Sequence, residues 1–184
     1  MVIIGITGTS GAGKGTVVAY LVKKGFVHYS ARAFIVEEIE RRGLSVNRNT
    51  MIDVANDLRK THSSGYILEQ LLAQAEEQGG NAVIESLRVL GEVDALHEKG
   101  GVLIDVDADV TLRYARVSAR KSETDRVSFE EFVAQEKRES ISDDPNKQSL
   151  FAVMQKADLH LMNNGTIEEL ERTLEKELAK RNLV

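Results

Sequence analysis

The sequence predicts a three-layer α/β/α fold in which helices cover both faces of a five-stranded parallel sheet. Three observations carry this. A glycine-rich stretch, Gly8-Thr9-Ser10-Gly11-Ala12-Gly13-Lys14-Gly15-Thr16, lies between an apolar run and a helical pattern. Five apolar, strand-like runs recur at 2–6, 26–30, 82–86, 102–106 and 158–162. Helical periodicity fills the intervals, and strands alternating with helices form parallel sheets.

The chain has 184 residues, enough for one domain with a substantial core. Charged residues make up 29% and hydrophobic ones 42%, the balance of an ordinary globular protein. The net charge of −5 argues against a role in coating nucleic acid. Cysteine is absent, which excludes disulfides, thiol nucleophiles and cysteine zinc sites. No apolar run reaches the roughly 18–20 residues of a membrane span. The chain opens directly on the first strand rather than on a signal peptide, so a cytoplasmic location is expected.

The first run, Val2-Ile3-Ile4-Gly5-Ile6, has the continuous apolar character of a buried parallel strand. The glycine-rich stretch after it reads as a phosphate-binding loop. Glycines let successive backbone N–H groups point into one concavity. The helix that follows adds the partial positive charge of its N-terminus. Lys14 adds a full charge for the β- and γ-phosphates of a nucleotide. In that helix, Val17, Val18, Leu21 and Val22 share one face.

Lys24-Gly25 stops the first helix. Phe26 to Ser30 forms the second strand, and Ala31 to Arg42 a helix ending at Gly43. Thr50-x-x-Asp53 looks like a capping box opening a further helix through Leu58. Ser63-Ser64-Gly65 breaks it, and Tyr66 to Gln78 forms another helix. Residues of about 31–80 thus form an insert at the carboxyl edge of the sheet. Ala82 to Ser86 and Val102 to Val106 are the third and fourth strands, with Asp107 or Asp109 capping the next helix. The interval of about 117–150 is polar, holds the sole proline, Pro145, and is expected to be a lid. Asp158 to Met162 is the fifth strand, Asn163-Asn164-Gly165-Thr166 a turn with an N-cap, and Ile167 to Arg181 the last helix.

Ligands of open α/β sheets sit beyond the carboxyl ends of the strands. Glu85-Ser86-Leu87-Arg88 leaves the third strand there. Glu85 can orient Mg²⁺-bound water and Arg88 can grip a second phosphate. The plainer reading is a capping carboxylate and a surface arginine. Phosphate loops usually carry Ser or Thr directly after the lysine as a Mg²⁺ ligand. Gly15 stands there and Thr16 follows, so Mg²⁺ is expected on phosphates, water and Glu85, with Thr16 acting through water. Arg113, Arg116 and Arg120 share a helix face, and Arg138 lies on the next helix. Arg116, Arg120 and Arg138 suit a transferring phosphoryl group, whereas Arg113 is expected to face solvent. Arg32 and Arg59 can face an acceptor phosphate. The plainer reading of these arginines is a solvated stripe paired with local acids. His28, His62, His97 and His160 lack metal-ligand spacing and read as structural or surface residues.

Gly11-Ala12-Gly13-Lys14-Gly15-Thr16 resembles the loop of adenylate kinase and its nucleoside monophosphate kinase relatives. The insert matches their monophosphate-binding region. Ile84-Glu85-Ser86-Leu87-Arg88 looks like their strand-three motif with its acceptor-phosphate arginine, without the usual proline. Arg116-x-x-x-Arg120 looks like the approach to their lid. Ala157-Asp158 through Thr166 resembles the strand and loop that receive the adenine ring, as also in dephospho-coenzyme A kinases. The resemblance spans the chain and implies sheet order 2-3-1-4-5. It implies catalytic Lys14, Arg88, Arg116 and Arg120, and ATP on Ser10 to Thr16 with its adenine at Asn164 and Gly165. The acceptor then lies on Arg32, Arg59, Arg88 and Arg138. Two departures stand out. Val36 occupies a position where adenylate kinases carry an arginine, and no acid follows strand two before Glu37.

A hydroxyl acceptor needs a carboxylate to take its proton, whereas a phosphate acceptor is mostly dianionic near neutral pH and needs positive charge. The expected activity is therefore transfer of the ATP γ-phosphoryl to a nucleoside or deoxynucleoside monophosphate, with Mg²⁺. The alternatives are a hydroxyl kinase of dephospho-coenzyme A kinase type, with Glu85 as base, and a non-catalytic ATP-dependent binding module. The expected partners are ATP and a nucleotide-like acceptor, without nucleic acid or membrane, for a monomer or small homo-oligomer.

Overall fold

A computed structural model describes residues 1–120, 127–140 and 142–183. Five strands form one sheet: β1 (Ile3–Gly8), β2 (Val27–Ser30), β3 (Ala82–Glu85), β4 (Val102–Asp107) and β5 (Leu159–Met162). Their order is β2-β3-β1-β4-β5 and every pairing is parallel. β1 is central. Ile6 pairs with Glu85 on one side, and Thr7 with Asp105 on the other. The carboxyl ends of β3 and β4 therefore flank the loop leaving β1.

Each face of the sheet carries its own core. On one, Ile4, Ile6, Ile104 and Leu161 meet α1 (Lys14–Lys23) and α9 (Ile167–Lys180) through Val17, Leu21, Leu170 and Leu174. On the other, Ile3, Ile84 and Leu103 meet α2 (Ala31–Arg41), α3 (Arg48–Thr61), α4 (Tyr66–Gln78), α5 (Leu90–Glu98) and α8 (Leu150–Gln155). Each such side chain contributes about 1.5–3 kcal/mol by leaving water. Among the described residues, no helix is long and apolar enough to cross a membrane.

Several local expectations are corrected. The buried face of α1 is Val17, Val18, Tyr20 and Leu21, whereas Val22 is 46% exposed. α3 starts before Thr50: Asn47 is its N-cap and accepts the Thr50 N–H at 3.0 Å, which leaves Thr50 inside the first turn. Asp109 stands at the N-cap of α6 (Val110–Ala119) without a side-chain cap bond. The Asp107 carboxylate instead accepts the Thr9 hydroxyl and the Ala108 N–H. The interval expected to be a lid carries α7 (Phe129–Ser140) and leads into α8; its residues 121–126 and 141 lie outside the described residues. Thr166 and Glu169 form a reciprocal capping box at the start of α9.

Candidate active site

The loop from β1 to α1 wraps the start of a helix with no acid in its first turn. Gly13 is the N-cap with φ 107°, and the carboxamide of Asn163 occupies the space a Cβ would need. Gly11, with φ 79°, lets the loop lie against the Arg113 carbonyl, which a Cβ would approach to 2.5 Å. Both glycines permit close packing as well as positive φ. Asn163 Nδ2 donates to the Ala12 carbonyl at 2.7 Å, which ties the loop to the end of β5. The Lys14 ammonium donates to the carbonyls of Gly8 (2.9 Å) and Thr9 (2.7 Å).

The arginines of α6 divide by role. Arg113, expected to face solvent, is 5% exposed. Its guanidinium donates to the carbonyls of Ala108 (2.7 Å) and Ser10 (3.5 Å) and pairs with Glu136 of α7. It buttresses the loop from behind, and Glu136 balances its charge. Arg116 Nη2 donates to the Asn163 carbonyl at 3.0 Å, while its Nη1 is buried without a partner. Arg120 is exposed at the C-cap of α6.

Charges converge on Lys14. Burial is the main cause that lowers its pKa to about 7; the positive charges of Arg88 and Arg120 act in the same direction, and the carboxylates of Glu85 and Asp105 oppose it. Asp105 was not among the residues singled out from sequence. It is 5% exposed, its Oδ1 has no partner, and its Oδ2 lies 3.2 Å from His160 Nδ1. Burial raises its pKa to about 6; the nearby Asp107 adds to that rise, and the bond to His160 opposes it. A lone acid inside the apolar run 102–106 was the signal for it. Glu85 stands beside Ser30 Oγ (3.4 Å) and His28 Nε2 (3.5 Å).

Arg59, expected to face an acceptor phosphate, is instead enclosed at 3% exposure and bonds Glu92 at 2.8 Å. Glu92 also accepts the backbone N–H of Arg88 at 2.7 Å, so Arg59 braces the turn that presents Arg88. The Arg88 carbonyl accepts the Ser149 N–H at 3.0 Å. Arg32, exposed on α2, donates to Met51 Sδ. Arg138 is exposed on α7 and lines a cleft against α3. Asn164 Oδ1 accepts the Asp109 N–H at 2.8 Å, which fixes the turn where the adenine was expected.

Glu85 and Asp105 offer hard oxygens on either side of β1, the chemistry Mg²⁺ takes when most of its ligands are water and phosphate. Among the described residues no group of three or more acids or histidines forms an all-protein metal cage, and such a partly hydrated ion needs none.

The AAA domain family profile matches residues 4–140. A UPF0200 protein of Pyrobaculum aerophilum is 30% identical over 179 residues, covering 96% of each chain. One of Thermococcus gammatolerans is 27% identical, covering 94% of this chain and 90% of that protein. A shikimate kinase from Bacteroides thetaiotaomicron superposes with a TM-score of 0.61 over 97% of this chain and 98% of that one, at 15% identity. A gluconokinase from Sinorhizobium meliloti does so with a TM-score of 0.59 over 97% and 92%, at 12% identity. At these identities the likeness is one of fold, and the fold is that of the P-loop kinases.

Proposed function

From a chain that belongs to the AAA domain family and to the UPF0200 proteins, and that has the P-loop kinase fold, we propose an ATP-dependent phosphotransferase whose acceptor is a nucleoside monophosphate. The observation that carries this is the glycine loop that opens α1 at Lys14 beside the carboxyl end of β3, with Arg88 and Arg120 near enough for their charges to act on Lys14. With burial, this repulsion lowers the Lys14 pKa to about 7, while Glu85 and Asp105 offset part of it. The three cations are matched by the phosphates of two nucleotides.

In this reading the N–H groups of residues 11–16 hold the ATP phosphates. Lys14 leaves the carbonyls of Gly8 and Thr9 for the β- and γ-oxygens. Arg88 holds the acceptor phosphate in line. An acceptor phosphate oxygen bonds to the γ-phosphorus as the bond to the β–γ bridging oxygen breaks, and ADP leaves. Arg120 and the open Nη1 of Arg116 meet the charge that spreads over the moving group. Mg²⁺, when bound, neutralises phosphate charge; Glu85 would hold it through water, with Thr16 and Asp105 nearby. The Ser30-Ala31-Arg32-Ala33 segment brings no base, and a phosphate acceptor requires none.

A hydroxyl acceptor is the second reading, favoured by one observation: the Glu85 carboxylate acts on the charge of Lys14, so an acid stands beside the transfer point. The test is incubation with ATP, Mg²⁺ and a panel of acceptors, read by phosphorus NMR. A nucleoside diphosphate gives coupled doublets, and a hydroxyl monoester gives a singlet. Lys14→Ala should slow transfer on the order of 10²-fold. A singlet product transfers the assignment to the hydroxyl reading. ATP binding without turnover on any acceptor leaves only a nucleotide-dependent binding module.

A further inference from the structure

Ser86 holds a backbone conformation that favours glycine. Among the described residues two non-glycine positions take positive φ, Ser86 at 75° and Asn182 at 54°. Asn182 follows the C-cap of α9, where asparagine serves as a left-handed cap. Ser86 ends no helix. It follows β3 directly and stands two residues before Arg88. Glycine adopts this conformation without steric cost, and serine does not.

The surrounding structure holds the strain in place. The N–H groups of Ser86 and Leu87 both donate to the Ile6 carbonyl of β1, at 2.9 and 3.2 Å. Two residues on one acceptor make a bulge-like step, which re-aims the chain. The Leu87 carbonyl accepts the Thr7 hydroxyl at 2.9 Å, and the Leu87 side chain is buried. The N–H groups of Arg88 and Val89 both donate to Glu92 Oε2. The Arg88 carbonyl accepts from Ser149, the N-cap of α8. The step is thus clamped from β1, α5 and α8, and a costly conformation persists only under such constraint. Glu85 before the step and Arg88 after it both act on the charge of Lys14. Half-buried between them, the Ser86 hydroxyl makes no hydrogen bond among the described residues.

We propose that Ser86 is an acceptor-binding residue, whose hydroxyl donates to the acceptor's phosphate beside the charge of Arg88. A glycine at this step would relax the backbone and remove no bond that the described residues make. A hydroxyl standing at a glycine position, between two residues that act on Lys14, therefore has its use with a ligand. It adds a directed hydrogen bond to an anion, a strong class of bond, and brings no further positive charge to Lys14. This rests on the reading of the chain as a phosphotransferase with a nucleoside monophosphate acceptor.

The experiment compares Ser86→Gly with Ser86→Ala in the full chain. Both lose the hydroxyl, and only glycine relaxes the backbone. Urea unfolding should show a higher midpoint for Ser86→Gly than for Ser86→Ala. Equal midpoints remove the strain from which the proposal starts and overturn it. On the nucleoside monophosphate that turns over best, both variants should raise the acceptor KM about tenfold, the scale of a lost hydrogen bond to a charged group. ATP affinity should not change. A serine that only shapes the backbone separates the variants instead, with the wild-type KM in Ser86→Gly and a changed one in Ser86→Ala. That result, or the wild-type KM in both, overturns the proposal and leaves the phosphotransferase reading in place. The contact is also read without turnover, by calorimetric titration of inorganic phosphate into the chain saturated with a non-hydrolysable ATP analogue and Mg²⁺. If no nucleoside monophosphate turns over, phosphate affinity lowered in both variants retains the Ser86 contact and removes that reading. Phosphate binding absent from the wild type, or unchanged in both variants, then removes both.

Discussion

Glu92 joins Arg59 of the insert to the backbone of Arg88: one carboxylate oxygen takes the guanidinium at 2.8 Å, the other the Arg88 N–H at 2.7 Å. Both side chains are buried, at 3% and 2% exposure. Removing one partner of a buried pair strands the other charge, which costs about 3–5 kcal/mol. Arg59→Met should lower stability by that amount in urea unfolding. Adding Glu92→Gln to Arg59→Met should recover part of it. A loss below about 1 kcal/mol in Arg59→Met would count against the brace.

Lys14 should make nucleotide binding pH-dependent. Its pKa in the free protein is lowered to about 7 from an ordinary 10.5, so much of it is neutral above pH 7. The unfolded chain holds the extra proton between about 7 and 10.5, and the free protein therefore gains stability from this group as pH rises through that window. Bound phosphates reverse the balance by favouring the ammonium. ATP binding at pH 8 should take up protons, visible as a dependence of the calorimetric heat on the buffer's ionisation enthalpy. Lys14→Met should take up fewer, and equal uptake in both proteins would exclude Lys14 as the source.

Asp105 titrates with the opposite sign. Its pKa is raised from 3.8 to about 6, so the folded protein holds a proton that the unfolded chain has released. The group's contribution is present below about pH 4 and is lost as pH rises through 6. Asp105→Asn should therefore gain on the wild type in thermal stability between pH 4 and 7. Parallel melting curves over that range would contradict the buried, protonated carboxyl.

Asn163 holds the loop through a buried bond to the Ala12 carbonyl. Asn163→Ala leaves that carbonyl unsatisfied and should cost about 1–3 kcal/mol, with ATP affinity falling alongside. Asn163→Asp should be worse, because a carboxylate would face the carbonyl oxygen. Thermal melts and ATP titrations of the two variants rank them, and wild-type ATP affinity in both would remove Asn163 from the support of the loop.

Arg88 should act on the acceptor rather than on ATP. Arg88→Ala is expected to raise the acceptor KM and cut kcat/KM by about 2–5 kcal/mol, the scale of a lost charge-assisted contact. ATP affinity should stay nearly intact. A variant that loses ATP binding instead would place Arg88 with the donor.

The sequence alone determined what local chemistry can encode. Apolar runs and helical periodicity gave the strands and helices, and the loop from Gly8 to Thr16 announced itself through glycines and a lysine at one spacing. The strand-end placement of Arg88 was legible, because the segment 84–88 leaves the strand beside β1; its role on the acceptor is a proposal. The tertiary structure decided partnership. Arg59 and Glu92 are 33 positions apart, and Asn163 and Ala12 are 151 apart. Arg113 looked solvent-facing as part of an arginine stripe among local acids; it is buried because the loop from β1 and Glu136 of α7 close over it. Asp105 stood out in sequence only as a lone acid in an apolar run; its partners came from the sheet, which sets β4 between β1 and the His160 of β5. Periodicity states which face of an element is apolar, while a buried charge is tolerated only where the fold brings it a partner.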